Sequence, residues 1–168
     1  MRLLKEIATE EIKDRAEIKE RRASRAVLFD KEGLIPILFV AQDNYHKLPG
    51  GGIDDNETRE EALIREVKEE TGSLIEIERE VGKIVEFRSK WNLRQESYCY
   101  LGKIISKGEP ELTEKEKGQG FRVVWLTLNE AIKRIEKDEP KSYAGLFIQK
   151  RDLTFLKKAK EILQDESS

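Results

Sequence analysis

Between Gly50 and Ser73 the chain reads GGGIDDNETREEALIREVKEETGS, and this stretch constrains the fold more than any other. Leu48-Pro49 followed by three glycines suits neither a helix nor an internal ladder, since proline lacks an N–H and glycine leaves the backbone loose. Thr58 to Glu70 then supplies strong helix formers, and Thr71-Gly72 reads as a C-terminal stop. At ~100° per residue, Glu66, Glu69 and Glu70 share one arc of the helix. Leu63, Ile64 and Val67 occupy the neighbouring arc and are predicted to pack on a sheet.

The flanks supply that sheet. Ala26 to Phe29 and Leu34 to Ala41 are short apolar runs separated by Asp30-Lys31-Glu32-Gly33, which predicts a turn and a hairpin. Ile75 to Phe87 and Ser97 to Ile105 alternate as strands, and Arg122 to Leu126 is a further short one. Lys107 to Gly120 is polar and reads as a loop. Asn129 is the predicted cap of a helix through Lys137, closed by Asp138-Glu139-Pro140. Leu146 to Leu163 gives a last, basic amphipathic helix. Residues 1–22, charged with scattered aliphatics, fit either an amphipathic helix or an edge strand. The class is α/β or α+β around a mixed sheet, and 168 residues suit a single domain with 1–22 as an extension or edge strand.

Charged residues make up 39% of the chain, above the usual ~25%, yet 32 Lys+Arg against 34 Asp+Glu leave a net charge of -2. That balance excludes a strongly basic chain built to coat nucleic acid, so DNA is not an expected partner. The lone cysteine, Cys99, excludes an internal disulfide and the cysteine-rich zinc sites. No apolar run approaches the ~18 residues of a spanning helix, and the start does not read as a secretory signal. A cytoplasmic, membrane-free protein is the expectation.

Three carboxylates at i, i+3 and i+4 repel one another by a few tenths of a kcal/mol per pair in water, and by more when partly buried. A divalent cation removes that conflict, and hard oxygen ligands suit Mg²⁺ or Mn²⁺ rather than zinc. A merely solvated acidic face explains the cluster by itself equally well. The context favours the site: the preceding glycines let backbone approach a ligand and offer a free carbonyl, and Arg65 can reach Glu57 or Glu69.

This segment resembles the box of the Nudix hydrolase family, G-x5-E-x7-R-E-U-x-E-E-x-G-U with U a bulky aliphatic. Gly51, Glu57, Arg65, Glu66, Val67, Glu69, Glu70 and Gly72 stand at its spacings. Ser73 departs from the final aliphatic, and Leu74 is the expected substitute at that packing position. Leu48-Pro49-Gly50 resembles the family's lead-in. The resemblance implies an α/β/α sandwich around a mixed sheet. It also implies hydrolysis of a phosphoanhydride bond in a nucleoside diphosphate linked to another group, a nucleoside triphosphate being one candidate. Mg²⁺ or Mn²⁺ would be held by Glu66, Glu69, Glu70 and the carbonyl of Gly50. Glu57 would lie near the metal, tied to Arg65, which orients carboxylates. Glu66 or Glu69 would accept the proton of the attacking water, and Glu116, from the polar loop, is a further metal-ligand candidate. Family members are often dimers, so a homodimer is an expectation of the resemblance as well.

The substrate is a small nucleotide in this reading. Trp91 is a candidate to stack on a base, with Arg88 and His46 as candidates to meet phosphates; core packing or a solvated loop are the competing fates of all three. The basic last helix, Arg151 included, reads as a solvated face, with a dimer contact or an RNA contact as its alternatives, and Cys99 as a small core residue. The proline typical of ADP-ribose hydrolases is replaced by Arg88, and Trp91 stands near the place of the tyrosine typical of dinucleoside polyphosphate hydrolases. A different class of function, a catalytically silent domain of this fold serving as nucleotide sensor or RNA-binding module, is disfavoured because no box glutamate is missing.

Overall fold

The structure, a computed structural model, describes residues 1–9 and 17–167. Its elements are β1 (Leu3–Ala8), β2 (Lys19–Phe29), β3 (Ile35–Val40), β4 (Tyr45–Lys47), β5 (Gly50–Gly52), α1 (Arg59–Thr71), β6 (Leu74–Arg88), β7 (Leu93–Ser106), α2 (Glu114–Gly118), β8 (Phe121–Leu126), α3 (Leu128–Glu136) and α4 (Tyr143–Ser167). A five-stranded sheet runs β1-β6-β7-β2-β5 and a three-stranded sheet runs β4-β3-β8. The larger sheet is mixed: β1 runs parallel to β6 and β2 parallel to β7, while β6 with β7 and β2 with β5 are antiparallel. Helices cover both sides, giving the α/β/α sandwich. Among the described residues no helix is long and apolar enough to cross a membrane.

The pleat of β2 explains the layering, because successive side chains point to opposite faces. Ala26 and Leu28 join Leu63 and Val67 of α1 in one core, with Tyr98 and Tyr100 of β7. Val27 faces the other way, into a larger core with Ile84, Cys99, Phe147, Phe155 and Leu156. Cys99 is wholly buried there. Burial pushes its thiol pKa up, away from nucleophilic use.

Several local expectations change. The runs 26–29 and 34–41 do meet at a tight turn, where the Asp30 carboxylate accepts from the N–H groups of Glu32 and Leu34 at 2.9 Å. They are nevertheless not a hairpin, because β2 pairs with β7 and β5 while β3 pairs with β4 and β8. The charged beginning forms the edge strand β1, and β2 starts at Lys19; the segment 10–16 lies outside the described residues. The helix predicted to be capped by Asn129 is capped two residues earlier by Thr127, whose side chain accepts from Glu130 N. Within the polar stretch 107–120, Thr113 and Glu116 close a reciprocal capping box that starts the short α2. Ser73 is fully buried and its hydroxyl finds no partner, whereas Leu74 is 45% exposed, so Leu74 does not take over the missing aliphatic.

Candidate functional site

The helix that carries the acidic cluster is fixed at three points. Thr58 and Glu61 form a capping box, each side chain accepting from the other's backbone N–H at 3.0 Å. Ser24 Oγ donates to the Arg59 carbonyl at 2.7 Å, tying the first turn to β2. Gly72 closes the helix in the left-handed region at φ 74°, where a Cβ would run into the Gly108 carbonyl. Ala62, Leu63 and Val67 are buried, but Ile64 is 43% exposed, so the apolar arc is narrower than its sequence suggests. With that face down, the carboxylates border β5, which lies at the sheet edge with Gly50, Gly51 and Gly52 opposite Arg25, Ser24 and Ala23.

Each carboxylate has its own environment. Glu66 lies against Gly51, where a Cβ would stand 2.6 Å from both carboxylate oxygens, so only glycine admits this approach. Glu70 is 2% exposed; its Oε1 accepts from Gly50 N at 2.7 Å, and its Oε2 lies 3.9 Å from Lys47 Nζ. Burial raises the Glu70 pKa and lowers that of Lys47, each partly offset by the other's charge. Glu69 is more open, and its pKa is raised by partial desolvation first and then by the Glu66 charge, with Glu116 adding to it.

Arg65 ties these groups together. Its Nε donates to Glu57 Oε2 at 2.7 Å and its Nη2 to Glu57 Oε1 at 2.9 Å, a two-pronged pairing. These bonds hold the Glu57 carboxyl down at about 2. Nη1 donates to Glu66 Oε1 at 3.0 Å, Nη2 to the Gly52 carbonyl at 3.1 Å, and Glu69 Oε2 lies 3.5 Å away. With Asp54 Oδ2 also 3.5 Å from Nη2, one guanidinium spans four carboxylates and the glycine strand.

The donor set suits a hard divalent cation: carboxylate oxygens on one helical turn beside glycine carbonyls, with no thiolate nearby. The carboxylates are not gathered into a cage, however. Among the described residues no three acidic, His or Cys side chains converge closely enough to hold an ion, and Arg65 stands between Glu66 and Glu69 instead.

The remaining candidates fall in different places. Glu116 is near enough to Glu69 to raise its pKa, but its Oε1 caps α2 by accepting from Thr113 N at 2.9 Å. Trp91 is 48% exposed at the β6–β7 connection, edge-on to Tyr143 at 5.1 Å. Arg88 is buried; it donates to Glu86 Oε2 at 3.0 Å and lies 5.7 Å from the Trp91 ring centroid. His46 takes a structural place. It is 6% exposed, with Nδ1 2.9 Å from Asp138 Oδ1 and its ring 4.7 Å from that of Phe39. The pleat of β4 turns it away from the face on which its neighbour Lys47 meets Glu70.

An open groove of about 670 Å³ adjoins this cluster, lined by Gly52, Glu57 and Glu66 together with Arg21, Arg22 and Arg94. Behind it lies a layer of buried charge that the sequence does not announce. Arg25, Glu86, Arg88, Arg151 and Asp152 are all at most 6% exposed. Arg151 is wholly buried rather than on a solvated face: its Nε donates to Asp152 Oδ1 at 2.7 Å, and Nη1 lies 3.6 Å from Glu86 Oε1. Burial opposes its charge, but Asp152 and Glu86 outweigh that and hold its pKa above the ordinary value. Asp152 Oδ2 also accepts from Leu48 N at 2.8 Å, anchoring the Pro-Gly lead-in to α4. The only sequence signal for this layer is the i, i+2, i+4 parity of Arg21, Ala23 and Arg25, legible once β2 is known to begin at Lys19.

A sequence model of the NUDIX domain family matches residues 19–146. An RNA pyrophosphohydrolase of Wolbachia sp. subsp. Brugia malayi (strain TRS) is 31% identical over 111 residues, 61% of this chain; the match spans 63% of that relative's length. Among solved structures, a NUDIX hydrolase from Nitrosomonas europaea superposes with a TM-score of 0.57 at 19% identity, covering 69% of this chain and 78% of its own. A MutT NUDIX hydrolase from Burkholderia pseudomallei gives 0.56 at 18% identity, covering 79% and 98%. At such identities the two structures speak to the fold alone.

Proposed function

The chain belongs to the NUDIX family, and from that premise we propose that it hydrolyses a phosphoanhydride bond in a nucleoside diphosphate linked to another phosphoryl-bearing or organic group. The observation that supports this most is the turn of α1 beside β5, where Glu66 lies against Gly51, Glu70 accepts from Gly50 N, and Arg65 braces Glu66 and Glu69. Glu66, Glu69, Glu70 and the Gly50 carbonyl would hold Mg²⁺ or Mn²⁺. Such an ion, when bound, neutralises the phosphoryl oxygens and lowers the pKa of a bound water.

The chain's own residues do the rest. Arg65 holds Glu66 and Glu69 in register while Glu57, kept ionised, holds Arg65. Glu69 is the proton acceptor in this reading, since it is the most open of the three and its carboxyl is shifted up towards the working range of a general base. Water oxygen bonds to phosphorus, the anhydride P–O bond breaks, and the departing phosphate keeps the electron pair while Glu69 receives the proton. The exposed Trp91 ring offers a stacking surface for a base, with Arg88 beside it.

The test is a substrate panel with Mg²⁺: nucleoside triphosphates, nucleoside diphosphate sugars, dinucleoside polyphosphates and 5′-triphosphorylated RNA, the last because of the relative described above. Phosphate and pyrophosphate are scored separately. At least one member should turn over, EDTA should abolish that turnover, and Glu69→Gln should reduce kcat by ~10²-fold or more with folding preserved. Inertness across the panel, or an unaffected Glu69→Gln, refutes the proposal.

A further inference from the structure

We propose that the basic cleft between β1 and α4 is a docking surface for the phosphate backbone of a single-stranded RNA whose 5′ end lies at the carboxylate turn. The proposal rests on the reading above and deepens it: the nucleoside of the substrate becomes the first residue of an RNA chain.

The chain is nearly neutral, yet its charge is segregated. The groove beside the carboxylate turn is lined by six carboxylates against three arginines. At the opposite edge of the larger sheet, a cleft of about 680 Å³ is lined by Arg2, Lys5, Lys150, Lys157 and Lys158 against one acid, Glu161. That acid is taken by Lys158 at 2.9 Å, and Lys157 lies 3.2 Å from Glu136, which stands outside the cleft. Arg2, Lys5 and Lys150 are exposed and have no ion pair among the described residues. Glu6 does not offset them. It pairs with Val85 where Lys5 pairs with Ile84, so the pleat turns it to the other face of β1. A solvated helix face mixes its signs, whereas this cleft collects one, as a polyanion requires.

The cleft is also continuous with the site. Arg94 lines the groove beside the carboxylates, and Trp91 stands three residues before it on the connection between β6 and β7. The exposed Trp91 ring meets Tyr143, the first residue of α4. Leu146, 46% exposed, Lys150 and Lys157 follow from Tyr143 along one face of the helix at spacings of three, four and seven. From Tyr143 to Lys157 the helix rises about 21 Å. An exposed ring, an apolar step and a row of cations thus lead away from the carboxylate turn. Single strands are held in this way, by a base stacked on an aromatic face and a backbone tracked by positive charge. Of the substrates in the panel above, only 5′-triphosphorylated RNA carries a chain of phosphates beyond its first base.

Binding is measured in EDTA, by fluorescence anisotropy of a labelled single-stranded oligoribonucleotide with a 5′-hydroxyl end. Neither a metal ion nor a terminal phosphate at the carboxylate turn then contributes. Affinity for the wild type should fall with salt at a log–log slope of about −2, from three phosphate contacts at ~0.7 each. Combining Lys5→Gln with Lys150→Gln, both exposed positions, should weaken binding roughly tenfold or more and remove about 1.4 from that slope. Lys31→Gln, exposed but outside the cleft, should behave as wild type. Trp91→Ala should weaken binding about tenfold and leave the slope unchanged, because stacking carries no charge. Equal binding by the wild type and the double variant, or an unaltered slope, overturns the proposal, and unchanged binding by Trp91→Ala overturns the path from the carboxylate turn. Polyglutamate of matched charge binding as tightly as the oligonucleotide would assign the cleft to an acidic protein segment instead and overturn it too. With Mg²⁺, the double variant should raise KM for 5′-triphosphorylated RNA about tenfold and spare kcat, with KM for a nucleoside triphosphate unchanged; no difference between the two substrates counts against the cleft. Binding in EDTA needs no turnover, so RNA held by a protein inert across the panel would refute the enzyme reading alone.

Discussion

Replacing Gly51 by alanine separates the site from the scaffold more cleanly than removing a carboxylate does. Gly51 does not occupy the left-handed region, so its backbone accepts an L side chain. The added Cβ would lie 2.6 Å from both Glu66 oxygens, whereas ordinary contact begins at 3.4 Å. What it meets is the end of a flexible side chain, so Glu66 gives way. The carboxylate must withdraw by roughly 1 Å, a displacement that costs on the order of 10²-fold when it falls on a positioned group. The cost to stability is small. The displaced Arg65–Glu66 pair is part-exposed and worth roughly 0.5 kcal/mol. Glycine-to-alanine stiffening of the unfolded chain returns about as much. The assay pairs kcat on the best panel substrate with the urea midpoint. Gly33→Ala is the mirror control: at φ 80° with open space around it, it should lose about 1 kcal/mol from backbone strain and no activity. A Gly51→Ala protein retaining kcat within ~threefold refutes the placement of Glu66 in the chemistry, and one that unfolds refutes the claim that Glu66 can move.

Two further outcomes test the packing. Ser73→Ala should stabilise the protein by about 1 kcal/mol, because it removes a fully buried hydroxyl that has no partner; a lower urea midpoint would show that the hydroxyl is satisfied. Arg151→Met should cost about 3–5 kcal/mol, since it strands Asp152 as a buried charge without its ion-pair partner, while Glu86 keeps Arg88. A mild loss in urea titration would mean that the layer behind the groove is hydrated rather than closed.

The segment 48–72 was legible as written because its information is local. A helical arc of acids, a glycine stop and a proline-glycine lead-in act within a turn or two of one another, and the structure realises Gly72 and the Arg65–Glu57 pairing in that way, with Thr58 moved from first helical residue to cap. Strand-forming stretches were legible for the same reason, through their period of two. The partners of those strands were not. β2 and β3 are joined by five residues and look like a hairpin, yet each pairs with segments far along the chain.

His46 and Arg151 make the same point for side chains. A histidine before the glycine run and an arginine on a basic helix carry no local mark of burial. Asp138 and Glu86, brought from distant elements, decide where they point. Sequence alone determined that one helix would present three carboxylates beside a glycine bend, since backbone propensity and side-chain period need no distant partner. Only the tertiary structure decided that Arg65 would also reach the Gly52 carbonyl and that a layer of arginines and carboxylates would be enclosed behind the turn. Electrostatic environment depends on which faces the sheets bury, and that is a property of pairing across the whole chain.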